Sequence, residues 1–117
     1  MKTLNKLLIP VLAVAFSFNS YSQTIETTEN GFRQYNEKNQ LIRIVLEGKN
    51  YKSITNYEYD KKGNKIKEIY KIDKENDGEF DYLAQWDFVY NEKGKIIRTH
   101  IMKDNDADGE FDEIKKY

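Results

Sequence analysis

The chain has 117 residues, no cysteine, a single proline, 33% charged residues and a formal net charge of −1. That size suits one domain with a modest core. Without cysteine, neither a disulfide staple nor a lipid-modified N-terminal cysteine is available, and the balance of charge argues against nucleic acid, which wants a basic surface.

In chain order, Lys2 and Lys6 precede an apolar stretch from Leu7 to Phe16, and a polar run closes on Ser20-Tyr21-Ser22. This is the layout of a secretory signal peptide, with Ser20 and Ser22 at the minus-three and minus-one positions of a cleavage site. Residues 1–22 are therefore expected to be removed, leaving an exported domain over 23–117, periplasmic or extracellular. A membrane span needs about 20 apolar residues. The stretch here is shorter and interrupted by Pro10, so no stable membrane insertion is expected. Losing Lys2 and Lys6 leaves 17 basic residues against 20 acidic ones, a mature charge of −3.

Beyond the leader, short runs rich in Tyr, Ile, Phe, Val and Thr alternate with polar residues, the period of a strand with one wet face. The predicted strands are Phe32 to Tyr35, Leu41 to Leu46, Tyr51 to Tyr59, Lys65 to Ile72, Phe80 to Tyr90, Ile96 to Lys103 and Phe111 to Tyr117. An additional short one over Thr24 to Glu29 is suggested by the Asn30-Gly31 turn that follows it. No helix is expected. Tight turns between consecutive strands make an all-β antiparallel meander of seven to eight strands built from repeated hairpins, an open or curling single sheet.

The meander is internally duplicated. Residues 59–86 match 90–117 at an offset of thirty-one, pairing Tyr59 with Tyr90, Gly63 with Gly94 and Ile66 with Ile97. A shorter copy opens at Tyr35, so the repeats are about 35–58, 59–89 and 90–117. Periods of this size signal stacked units that cannot bury an apolar face alone. Alternate turns fall at the same end of such a sheet. One end is basic and asparagine-rich, with Glu37-Lys38-Asn39, Lys61 to Lys65 and Glu92 to Lys95, and the other carries two acidic loops.

Those loops read Asp-x-(Asp/Glu)-x-Asp-Gly-x-Phe-Asp, from Asp73 to Asp81 and from Asp104 to Asp112. Carboxylates at positions 1, 3, 5 and 9, with glycine at 6, follow the ligand order with which a short loop wraps a hard cation. The expected ligands are the side chains of Asp104, Asp106, Asp108 and Asp112 with the Glu110 carbonyl, and those of Asp73, Glu75, Asp77 and Asp81 with the Glu79 carbonyl. Calcium is the expected ion, since it accepts 6–8 oxygens at flexible angles. Position 12 is Lys115 in one loop and Ala84 in the other, which departs from an EF-hand. A plain solvated turn is the alternative, because Asp, Asn and Gly are common where hairpins reverse.

The pattern resembles the calcium-binding hairpin loops of integrin-type and FG-GAP propeller repeats, with Phe80 and Leu83, and Phe111 and Ile114, continuing the apolar part. Separately, Tyr59-Asp60-Lys61-Lys62-Gly63-Asn64 is similar to the core of the YD repeats of RHS-type secreted and surface proteins. That resemblance implies extended or curling sheets whose glycine closes each hairpin; without kinship the motif is simply a hairpin turn.

On the longest strand Tyr82, Ala84, Trp86, Phe88 and Tyr90 share a face, as do Tyr51, Tyr57 and Tyr59 on an earlier one. Trp86, Phe88, Tyr57 and Tyr59 form a candidate platform for stacking on sugar rings, with packing as the alternative. No nucleophile has a base beside it. The lone histidine, His100, reads as a surface residue, and Glu58, Glu68 and Asp87 lie isolated among polar strand positions. The reading is a non-catalytic, calcium-stabilised structural or interaction module binding another macromolecule or itself. A carbohydrate-binding module is the alternative.

Overall fold

The structure is a computed structural model and describes residues 23–117; the signal-peptide assignment lies outside the described residues. Eight strands, β1 (Thr24–Thr28), β2 (Gly31–Tyr35), β3 (Leu41–Glu47), β4 (Lys52–Tyr59), β5 (Lys65–Asp73), β6 (Tyr82–Tyr90), β7 (Ile96–Asp104) and β8 (Glu113–Lys116), form one sheet in chain order. Every pairing is antiparallel. The expected meander is therefore observed, with strand ends within two residues of those read from the alternation. β6 starts at Tyr82 and not Phe80 because Asp81 belongs to the loop, its N–H bonded to the Ile72 carbonyl at 2.8 Å.

Among the described residues, strands contact only their immediate neighbours in sequence, and β1 does not meet β8. The sheet is thus open and one layer thick. Val45 and Ala84 are the buried hydrophobic residues among those described, so hydrophobic burial is thin and the hydrogen-bonded ladders and cross-strand side-chain pairs carry the fold.

The register divides the side chains between two unlike faces. One holds Ile44, Leu46, Tyr57, Tyr70, Ile72, Tyr82, Trp86, Phe88 and Ile101, and is the aromatic face. Across the other, charge alternates from strand to strand: Glu58 opposite Lys67 opposite Asp87, and Glu47 opposite Lys52 opposite Asp73. That face also carries one apolar row, Phe32 opposite Val45 opposite Ile54, which Lys71 interrupts before Leu83.

Three hairpins share one further device. Pairing slips by a residue at Tyr35, Tyr59 and Tyr90, leaving Ile42, Ile66 and Ile97 as the extra residue of a bulge. The Tyr59 hydroxyl donates to the Leu41 carbonyl at 2.6 Å, and that of Tyr90 to the Lys65 carbonyl at 2.6 Å. Each tyrosine thereby reaches the bulge of the preceding hairpin, where a carbonyl freed from the ladder needs a donor.

The adjoining turns repeat equally closely. Asn36, Asp60 and Asn91 each accept, through Oδ1, the N–H of the residues two and four positions on, at 2.9–3.0 Å. Asn39, Gly63 and Gly94 occupy the left-handed position that lets these turns close, with φ of 64°, 91° and 81°; asparagine is the tolerated substitute for glycine there. Removing one tyrosine hydroxyl isolates the clasp. Tyr59→Phe and Tyr90→Phe are each expected to lower unfolding free energy by about 1 kcal/mol in urea titrations, whereas Tyr51→Phe, at an exposed position, is expected to leave it unchanged.

Candidate metal centre

The acidic loops join β5 to β6 and β7 to β8, so the meander brings both to the same end of the sheet. Most of their hydrogen bonds correspond. Asp73 accepts the N–H groups of Asp77 at 3.1 Å and Gly78 at 2.8 Å; Asp104 accepts those of Asp108 at 3.1 Å and Gly109 at 2.9 Å. Asp77 and Asp108 then receive the Glu79 and Glu110 N–H groups, at 3.0 and 2.9 Å. Asp81 and Asp112 reach back to the N–H groups of Lys74 and Asn105, each at 2.7 Å. Left-handed residues fall at corresponding places, Asn76 and Gly78 in one loop and Ala107 and Gly109 in the other.

The result is a loop curled around its own carboxylates. Oxygens of Asp73, Glu75 and Asp81 lie within 4.8 Å of one another, as do those of Asp104, Asp106 and Asp108. Two acidic groups are therefore placed where each could hold a metal ion. The sets overlap without being identical: positions 1, 3 and 9 converge in the first loop, and positions 1, 3 and 5 in the second. Asp77 and Asp112, also expected as ligands, stand outside the converged triads, although each makes the same backbone hydrogen bond as its counterpart inside one.

Position 1 and position 3 differ in electrostatics. Asp73 and Asp104 are almost fully buried, each 2% exposed. Their burial opposes ionisation, but the N–H groups aimed at them outweigh it and hold both carboxyls below the ordinary range. Glu75 is pushed up, chiefly by the charge of Asp81, and Asp106 chiefly by its hydrogen bond with Asp104. The loop is thus built on one carboxylate that it stabilises and another that it strains, and a cation among the three oxygens offsets that repulsion.

The aromatic platform is less continuous than the sequence suggests. Tyr57, Tyr59, Trp86 and Phe88 do share a face, but Glu68 stands between Tyr57 and Trp86. Lys65 lies over the rings of Tyr57 and Phe88, at 5.2 and 5.6 Å from their centroids, and bonds Glu68 at 2.7 Å. That hydrogen bond with Glu68 raises the Lys65 pKa, and burial raises that of Tyr57. Sequence reasoning missed this ion pair because Lys65 belongs to the bulge opposite Tyr59, and alternation alone assigns a bulge residue to no face. At the basic end, a hollow of about 450 Å³ is lined by Asn36, Glu37, Lys38, Glu58 and Asp60 among others. Its mixture of charges selects no ligand.

No protein-family model matches the chain, and no curated protein or solved structure shows detectable similarity to it.

The two carboxylate types separate structure from metal binding in a single experiment. In metal-free protein, Asp106→Asn is expected to raise the melting temperature by relieving repulsion, whereas Asp104→Ala lowers it by stranding the Asp108 and Gly109 N–H groups. The pH dependence follows with opposite signs. Stability from the lowered Asp104 is present above its unfolded pKa and lost as pH falls through the folded value. Asp106 is raised, so its contribution is complete below its unfolded value of about 3.8 and lost as pH climbs through the folded one. Asp106→Asn should remove that loss on rising pH from the melting profile and leave the loss on falling pH intact.

Proposed function

We propose that this chain is an exported, non-catalytic β-repeat module, structural or adhesive in role, whose sheet is fastened at one end by calcium. The observation that carries the reading is the duplication of the acidic loop in three dimensions. Two hairpins thirty-one residues apart share most of their internal hydrogen bonds, the same left-handed positions and, from partly different positions, a convergent carboxylate triad. A solvated turn has no need of the strained third carboxylate in either copy.

Calcium is favoured over magnesium by the donors themselves. Carboxylates on a flexible loop, at unequal positions in the two copies, suit an ion that accepts 6–8 oxygens in irregular geometry. Magnesium demands a near-octahedral set and retains its waters. Asp73 and Asp104 each end a strand, so an ion bound there ties the β5–β6 and β7–β8 hairpins shut. The leader-like segment before Gln23 supports export, where millimolar calcium fills sites with Kd of about 10⁻⁴–10⁻³ M.

At tenfold excess over its Kd, each site adds about 1.4 kcal/mol to stability, which for a domain of this size is worth roughly 4–8 °C per kcal/mol in melting temperature. Calcium is therefore expected to raise the melting temperature by several degrees over chelator-treated protein, and Asp106→Asn to remove part of that rise. Identical melts in calcium and chelator would sink the metal assignment. A rise with magnesium equal to that with calcium would reassign the ion.

A further inference from the structure

The open sheet leaves its aromatic face without a covering layer, and a sheet with one apolar face is stable when that face packs against another element. We propose that the occupant is a second copy of the chain, the two sheets packing aromatic face to aromatic face as a two-layer sandwich. This names the partner of the interaction module inferred above and rests on that reading, but it does not depend on the metal.

Three observations carry it. The first is area. The eight strands total 56 residues; at about 3.3 Å per residue and 4.8 Å between strands, one face covers roughly 900 Å². A stable complex buries about 800 Å² on each partner.

The second is charge. On the aromatic face the charges cancel in place: Arg33 pairs with Glu26 at 3.4 Å, Lys65 with Glu68 at 2.7 Å, and Lys103 lies opposite Glu113. Only Lys115 remains over, so two copies meet with little repulsion, while a strongly charged partner finds nothing to attract it. On the opposite face rows of alternating charge, Glu58 with Lys67 and Asp87 and Glu47 with Lys52 and Asp73, flank the short apolar row of Phe32, Val45 and Ile54.

The third is the state of the polar groups. Tyr59 and Tyr90 have given their hydroxyl protons to backbone carbonyls within their own sheet, and Glu68 is held by Lys65. A sugar needs outward-facing donors and acceptors beside its stacking rings, and these three groups are already paired within the sheet. The β8 edge suits neither role. β8 carries Lys115 and Lys116, and lysine on an edge strand discourages strand addition.

Trp86 is the chain's only tryptophan and lies on the aromatic face, so it reports on the contact directly. The protein recovered after expression of the full chain is to be examined by sedimentation up to about 100 µM, in calcium and in chelator, with Trp86 emission followed on dilution. A dimer is expected, its Trp86 emission moving to longer wavelength as it dissociates. Leu46→Lys and Ile101→Lys, both on the aromatic face, should each raise the dimer Kd by at least about tenfold. Val89→Lys, on the charged face and as exposed as Leu46 (40% against 38%), should leave it unchanged. Circular dichroism selects the variants that retain the sheet.

A monomer throughout that range overturns the proposal, and so does a dimer that survives both aromatic-face variants or is lost in Val89→Lys. A monomer whose Trp86 emission responds to a glycan gives the face to sugar instead. Failure of the metal reading is distinct: it shows as equal melting in calcium and chelator, whatever the mass.

Discussion

A sheet one layer thick has no interior, and that constraint shapes everything else in this molecule. Each strand is held by its two lateral neighbours and nothing above or below, so stability accumulates pair by pair along the array, as in other repeat architectures. With Val45 and Ala84 as the buried hydrophobic residues among those described, the ends of the hairpins acquire unusual weight. They are the places where a ladder frays first, and it is there that the sequence concentrates its specific hydrogen bonding.

The two ends achieve this differently. At the basic end a single Asn or Asp accepts two N–H groups and a left-handed residue completes the turn. The acidic end uses the same logic for Asp73 and Asp104, each capping a longer loop, and then adds carboxylates that the turn does not require. Their mutual repulsion, which contributes to the raised pKa values of Glu75 and Asp106, is a cost that protonation or a bound cation would offset. A domain without disulfides and with little core gains from a fastening of that kind only where the ion is plentiful.

Much of this was legible in the sequence, because a strand with one wet face declares its period and the turn residues declare their own geometry. The eight strands, their order and the two acidic loops follow from alternation, from Asn-Gly and Asx-x-x-Gly signals, and from the thirty-one-residue offset. What alternation does not show is the bulge. It hides which face Lys65 joins, and with that the ion pair dividing Tyr57 from Trp86. Nor does ligand spacing tell which carboxylates converge: Asp81 joins the first triad and Asp112 stays out of the second, although they occupy the same position, because a triad depends on rotamers that spacing does not specify. Between an open and a curling sheet the sequence did not choose, since curling depends on accumulated twist and not on any local pattern; the structure is open.

The tyrosine that reaches from one hairpin to the bulge of the hairpin before it gives the array a direction. Tyr59 holds to Leu41 and Tyr90 to Lys65, and each unit brings with it both the hydroxyl that grips its predecessor and the bulge that a successor can grip. A duplicated segment of such a gene inserts with its joint already made. Growth by copying then needs no new interface, because the grip and the bulge it holds travel with the unit.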